Sequence, residues 1–196
     1  GGIRLVVAGQ VMHSDVQGIA GNGGFADVSC RPQRGVQHTL RSTYIDDTLD
    51  INDLGFLTRN DQVNMDYSYS RTESDIPGLR GRSTSIRFTN QWNTAGQPVR
   101  MGLFFNRSYT SLENNKFDYS FRYFPERIDD RLGRGTGDFR VQGRWGANFG
   151  YSTNRAESIS YNVNLNLDQD ELGPARTRGS AGIVWRPNDR FSTDLR

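Results

Sequence analysis

Residues 138–151 read DFRVQGRWGANFGY, and the fold turns on how this stretch is taken. Phe139, Val141, Trp145, Ala147, Phe149 and Tyr151 share one parity, whereas Arg140, Gln142, Arg144 and Asn148 share the other. An extended chain sorts these sets onto opposite faces, one apolar and one wet. Aromatic residues flank the apolar set and smaller ones fill its middle. A strand of that kind suits contact with lipid, its rings at the two headgroup levels.

The same two-residue rhythm runs outward in both directions. Downstream, Ile159, Tyr161, Val163, Leu165 and Leu167 oppose Ser160, Asn162, Asn164, Asn166 and Asp168, and Ala181, Ile183 and Trp185 oppose Ser180, Gly182 and Arg186. Upstream, Phe117, Tyr119, Phe121 and Tyr123 oppose Lys116, Asp118, Ser120 and Arg122, an aromatic face that needs lipid or a second sheet against it. Val99, Met101, Leu103 and Phe105 form another such set, as do Ile86, Phe88 and Trp92, and Val63, Met65, Tyr67 and Tyr69. Val36, His38, Leu40 and Tyr44 continue the pattern, and Ile3, Leu5, Val7 and Val11 begin it. Residues His13–Gly24 are glycine-rich and read as a loop, ESDIPGLRG reads as a turn, and Pro125–Gly137 reads as an exposed loop leading into the Asp138 strand. The total is about ten strands of roughly 9–13 residues, enough for tilted strands to cross a bilayer.

Composition agrees. Only 34% of the 196 residues are hydrophobic, yet 11% are aromatic, too many for a disordered polar chain. A transmembrane barrel reconciles the two, because only alternate residues meet lipid. No apolar run approaches the roughly 20 residues of a membrane helix. A net charge of +2 provides no field to gather nucleic acid. Lys116 is the only lysine among 24 basic side chains, so arginine carries the positive charge, and its planar fork suits ladders of paired charges in a wet lumen. Cys30 is alone and forms no internal disulfide. The chain opens inside an alternation and ends on Phe191, Thr193 and Leu195, so residues 1–196 read as one partial barrel domain, an interior piece of a longer protein truncated at both ends.

The fold expected is therefore all-β, an antiparallel transmembrane β-barrel, with a two-sheet soluble sandwich as its structural rival. On the wet face Arg87, Arg100, Arg122, Arg140, Arg144, Arg178 and Arg186 would project into the lumen beside Asp66, Asp118 and Asp168. With arginines in excess, that lumen should be mildly positive. Asp46, Asp47 and Asp50, with Asp53, are the only acidic group with a claim to calcium. Asp168, Asp170 and Gly173 begin a calcium loop that Leu172 and Gly179 then spoil. His13 and His38 lack ligand-spaced partners, no Gly-x-Ser-x-Gly elbow exists, and GRGTG at 133–137 lacks the context of a phosphate loop. No cofactor, catalytic residue or metal is assigned.

The stretch Asp53-Leu54-Gly55-Phe56-Leu57-Thr58-Arg59-Asn60-Asp61, followed by an alternating strand, resembles the signature of an uncharacterised family of Gram-negative outer-membrane β-barrel proteins, and RPNDRFSTDL resembles a turn that such barrels repeat. In that family a carbohydrate-binding β-sandwich, similar to the ninth carbohydrate-binding module family, precedes the barrel. The resemblance implies a bacterial outer-membrane location, contact with lipid and with periplasmic or membrane proteins, and a solute that includes carbohydrate. As physics, Asp53, Gly55, Phe56, Arg59 and Asp61 read as a structural latch at the lumen or its rim, with ligand contact as the alternative. The function expected is binding or passage of a solute. The rivals are the barrel of a TonB-dependent receptor and the membrane anchor of an outer-membrane hydrolase.

Overall fold

The structure is a computed structural model and describes residues 2–50, 60–129, 139–170, 173–188 and 191–195. These residues contain no helix and form thirteen strands: β1 Arg4–Val16, β2 Ile19–Arg31, β3 Val36–Ile45, β4 Gln62–Ile76, β5 Leu79–Trp92, β6 Pro98–Ser111, β7 Lys116–Phe124, β8 Arg127–Asp129, β9 Phe139–Val141, β10 Arg144–Ser152, β11 Ile159–Gln169, β12 Ala175–Asn188 and β13 Phe191–Leu195. Eleven of them build one antiparallel sheet in chain order, and β8 and β9 pair only with each other. The sheet has two ends, β1 and β13, and is not closed into a barrel among the described residues. The all-β antiparallel class is as expected. A two-sheet sandwich is not formed, since the second sheet has only two strands of three residues.

The antiparallel order puts both long connections, residues 46–61 and 125–143, at one end of the sheet, beside the short ones 17–18, 93–97 and 170–174. At the other end lie only residues 32–35, 77–78, 112–115, 153–158 and 189–190.

The chain divides into two compact units. The first comprises residues 1–69, 87–103 and 125–142. Its β1–β2 hairpin runs in register from Arg4↔Arg31 to Val16↔Ile19, so residues 13–24, expected as a loop, are instead strand. Two things explain the correction. The turn needs only Gln17 and Gly18, both at positive φ (55° and 81°), the geometry that a two-residue hairpin with strand twist requires. The glycines of β2 are there for close approach: a Cβ on Gly21 would collide with the Leu49 backbone, and one on Gly23 would lie 2.8 Å from Leu49 Cδ2. The chain after β3 folds back over β2, and Leu49 is 1% exposed.

In this unit β8 and β9 are a second correction. Pro125–Gly137 was expected as loop and Asp138–Tyr151 as one strand, whereas β8 pairs with β9 (Ile128↔Arg140) and the long strand resumes only at Arg144. Residues 142–143, Gln-Gly, interrupt it, and glycine is a poor strand former.

The second unit comprises residues 70–86, 104–124 and 143–196. Here β4 and β5 continue through the expected ESDIPGLRG turn, leaving Pro77 and Gly78 as the connection. Strands β7, β10, β11 and β12 match their apolar sets across the sheet: Phe117↔Tyr151↔Val163↔Ala181, Tyr119↔Phe149↔Leu165, and Tyr123↔Trp145. Rings interlock along this face, with Tyr119 stacked on Phe149 (6.5 Å) and tilted against Phe105 (5.7 Å). Still, Phe117, Phe121 and Tyr123 remain 41–44% exposed. Tyr109 and Tyr119 flank the Phe117 ring, and Phe117, Phe121 and Tyr123 all stay open over about two fifths of their surface among the described residues.

Leu49→Ala should lower stability by about 2–5 kcal/mol, the range for truncating a fully buried leucine, measured by denaturant titration. Gly23→Val should destabilise in the same direction by displacing that side chain.

Candidate functional site

The polar face of the second unit is built from residues directly opposite one another: Arg122↔Gly146↔Asp168↔Arg176, Ser120↔Asn148↔Asn166↔Arg178 and Asp118↔Gly150↔Asn164↔Ser180. Arg122 donates to Asp168 across two strands, over the top of Gly146. Glycine in the middle leaves room for the pair, because a Cβ there would stand 2.6 Å from Arg122 Nε and 2.7 Å from Asp168 Oδ1 and displace these side-chain ends. The same device recurs twice. A Cβ on Gly150 would meet Asp118 Oδ2 at 2.6 Å, and Gly182 lies beneath Asn162 Oδ1. These glycines let polar side chains lie flat across the sheet instead of standing off it.

Around the Arg122–Asp168 pair the wall forms a cleft of about 500 Å³. Arg122, Arg144, Arg176 and Arg178 line it, against the carboxylates of Asp168 and Asp170. Arg176 lies opposite Asp168 in register and 4.0 Å from Asp170. Two phenylalanines complete it: Phe104 and Phe124 meet edge to face at 5.4 Å, and the Arg144 guanidinium sits 4.7 Å above the Phe124 ring. Four arginines against two aspartates leave the cleft positive, and an ion pair this exposed contributes at most about 1 kcal/mol to stability.

Of the expected lumen residues, Arg122, Arg144 and Arg178 thus come together with Asp168, and Asp118 lies on the same wall above Gly150. Arg186 donates to the Arg155 carbonyl at 3.1 Å. Arg140 is placed elsewhere, in β9, 3.1 Å from Glu126. Arg87, Arg100 and Asp66 belong to the first unit, where Asp66 accepts from Asn64 at 2.8 Å and Arg100 is exposed. Arg176, Asp170, Phe104 and Phe124 were not anticipated. The first two lay in the expected DQDELGPAR loop, although counting parity through it from Asp168 and from Arg178 would have put both on the wet face.

Asp53, Gly55, Phe56 and Arg59 lie outside the described residues. Asp61 is described and acts as a latch: at φ 56° it accepts from the Thr94 amide at 2.7 Å and from the Thr94 hydroxyl. Asp46 is a second latch. Its carboxylate accepts from the amides of Asn22 and Leu49, both at 2.6 Å, and from the Thr48 hydroxyl at 3.2 Å. Asp47 offers its carbonyl to Asn60 at 2.7 Å, and the Asp50 amide donates to Ser14 at 3.0 Å. Among the described residues, no three His, Cys, Asp or Glu side chains converge as metal ligands. Desolvation pulls the Asp46 carboxyl upward, but the hydrogen bonds from Asn22, Leu49 and Thr48 outweigh it and hold the group below its ordinary range.

The class these features define is an all-β antiparallel sheet in whose second unit β7 and β10–β12 carry one apolar and one arginine-rich polar face. The chain belongs to the family described as a domain of unknown function (DUF5916), whose model matches residues 5–196. No curated protein and no solved structure matches it.

Gly146→Val should separate Arg122 from Asp168, seen in a crystal structure of the variant as loss of their contact, while Gly179→Ala, which meets nothing within 4 Å, should leave the wall unchanged. Asp46 carries the opposite kind of test. Because its folded carboxyl titrates below the unfolded one, the contribution is present above the ordinary aspartate value and lost as pH falls through the lower, folded one. Asp46→Asn should therefore flatten the acid limb of the stability curve, read by denaturant titration between pH 7 and the acid limit.

Proposed function

We propose that this sheet is part of the wall of an outer-membrane-type β-barrel whose polar face looks onto a solute path. The observation that carries the reading is the exposure of interlocked rings on one face of a single-layered sheet. A soluble protein would leave such a face to water at a cost of about 25 cal/mol for each Å², and hydrocarbon removes that cost. The dimensions agree. Trp185 stands level with Ile159, and Trp145, one step beyond Gly146↔Asp168, stands level with Gln169. The ten steps between them, at ~3.4 Å each and a tilt of roughly 40°, span about 26 Å of membrane, near the height of an outer-membrane apolar band.

The connections agree as well, since both long loops at one end and only short turns at the other are the asymmetry of outer-membrane barrels. The apolar face of the second unit does carry charge, and its position is informative. Glu73 pairs with Arg71 (2.7 Å) and Arg82 (2.6 Å), and Arg107 lies 5.1 Å over the Tyr109 ring. These arginines lie toward the end with only short turns, where a headgroup layer would receive guanidinium groups that bury their stems and extend their tips. In this reading the family's members sit in the bacterial outer membrane with lipid as their first partner. The wet face of the second unit passes or binds a solute, carbohydrate among the candidates, and the residues that bias it are Arg122, Arg144 and Arg178.

With arginine in excess over aspartate on the cleft wall, the path should favour anions. The full chain, reconstituted in a planar bilayer under a potassium chloride gradient, should show a reversal potential of the sign for chloride preference. Preference for potassium would overturn the charge assignment, and absence of any conductance would overturn the open path.

A further inference from the structure

The cleft on the polar face breaks the pattern of its own wall. Apart from Lys116, Val184 and Phe124, the wet face of β7 and β10–β12 is serine, asparagine, aspartate, arginine and glycine, and Phe124 stands on it beside Phe104 of β6. Rings on a polar face depart from the local pattern, and departures of this kind are expected at functional sites. Here the rings adjoin four guanidinium groups, two carboxylates and the Gln169 amide in a cleft of about 500 Å³, the size of a small-ligand pocket.

We propose that this cleft binds an acidic sugar, a pyranose ring bearing a carboxylate, as a unit of an oligosaccharide. The proposal rests on the solute-facing reading of the wall and names the class of solute. Each part of the ligand has its counterpart. The C–H face of the ring lies on Phe104, since Phe124 stands perpendicular to it and carries the Arg144 guanidinium over its own face. The carboxylate takes forked hydrogen bonds from the guanidinium of Arg178, an exposed residue opposite Asn166 in register. The ring hydroxyls donate to Asp168 and Asp170, whose carboxylates the neighbouring Arg122 and Arg176 keep in place. A flat aromatic acid would meet the rings and the arginines but bring no hydroxyl groups to the two aspartates. A neutral sugar would satisfy the rings and aspartates but leave the excess positive charge unmet.

The test is calorimetric titration of the full chain in detergent with three probes: a trimer of galacturonic acid, the same trimer as its methyl ester, and benzoate. The acid trimer should bind at least about tenfold more tightly than the ester, the difference expected when a charge-assisted hydrogen bond is lost. Arg178→Gln should remove most of that difference while leaving the ester unchanged. Phe104→Leu should weaken both trimers. Equal affinity for acid and ester, no binding of either, or benzoate binding as tightly as the acid trimer would each overturn the assignment. Bilayer conductance of the same preparation separates the two readings. Conductance without discrimination between trimers removes the acidic-sugar site and leaves the barrel, whereas discrimination without conductance supports the site and removes the open path.

Discussion

Successive side chains of a β-strand point to opposite faces, and in this chain the two faces require different surroundings. That single constraint organises the molecule. Phe117, Tyr119, Phe121 and Tyr123 cannot share a solvent with Asp118, Ser120 and Arg122, although each is adjacent to the next in sequence. The sheet answers by matching like with like across strands, so that Tyr119 meets Phe149 and Leu165 while Ser120 meets Asn148 and Asn166. A one-residue slip between any two strands would exchange the faces wholesale, which is why the register is so strictly kept along β7, β10, β11 and β12.

Glycine does the complementary work on the polar face. An ordinary sheet packs one face with side chains that fill space, but here Gly146, Gly150 and Gly182 open shallow channels between strands, and arginine, aspartate and asparagine lie across them. The cost is a loss of strand propensity at those positions. The return is a polar wall on which Arg122 and Asp168 pair over an intervening strand. In the first unit the same residue type serves another purpose, for Gly21 and Gly23 admit the backbone and side chain of Leu49. Leu49 and Asp46 fasten the start of the long connection to β2, and Asp61 fastens its end to Thr94.

Much of this was legible in the residue order. Alternation located most of the strands and sorted Arg122, Arg144, Arg178 and Asp168 onto one face, because period two is a local property. Glycine was where the reading went astray: residues 13–24 looked like a loop, since the reason for their glycines is Leu49, more than twenty residues away, and no local window contains it. The split of the Asp138 stretch into β9 and β10 was hidden for a related cause, as Arg140 finds Glu126 and a hairpin partner that parity alone does not specify. Phe104 and Phe124 were missed because they lie on the minority face of strands whose majority parity drew the eye.

On the reading proposed above, hydrocarbon lies against the odd-numbered side chains of β7 and water against the even-numbered ones. Nitroxide labels placed singly at positions 116–124 of the full chain in a lipid bilayer, with Cys30 replaced by serine, test this directly. Accessibility to dissolved oxygen should peak at 117, 119, 121 and 123, and accessibility to a water-soluble nickel complex at 118, 120 and 122. Odd positions open to the nickel complex, or closed to both reagents in a packed protein interior, would contradict it.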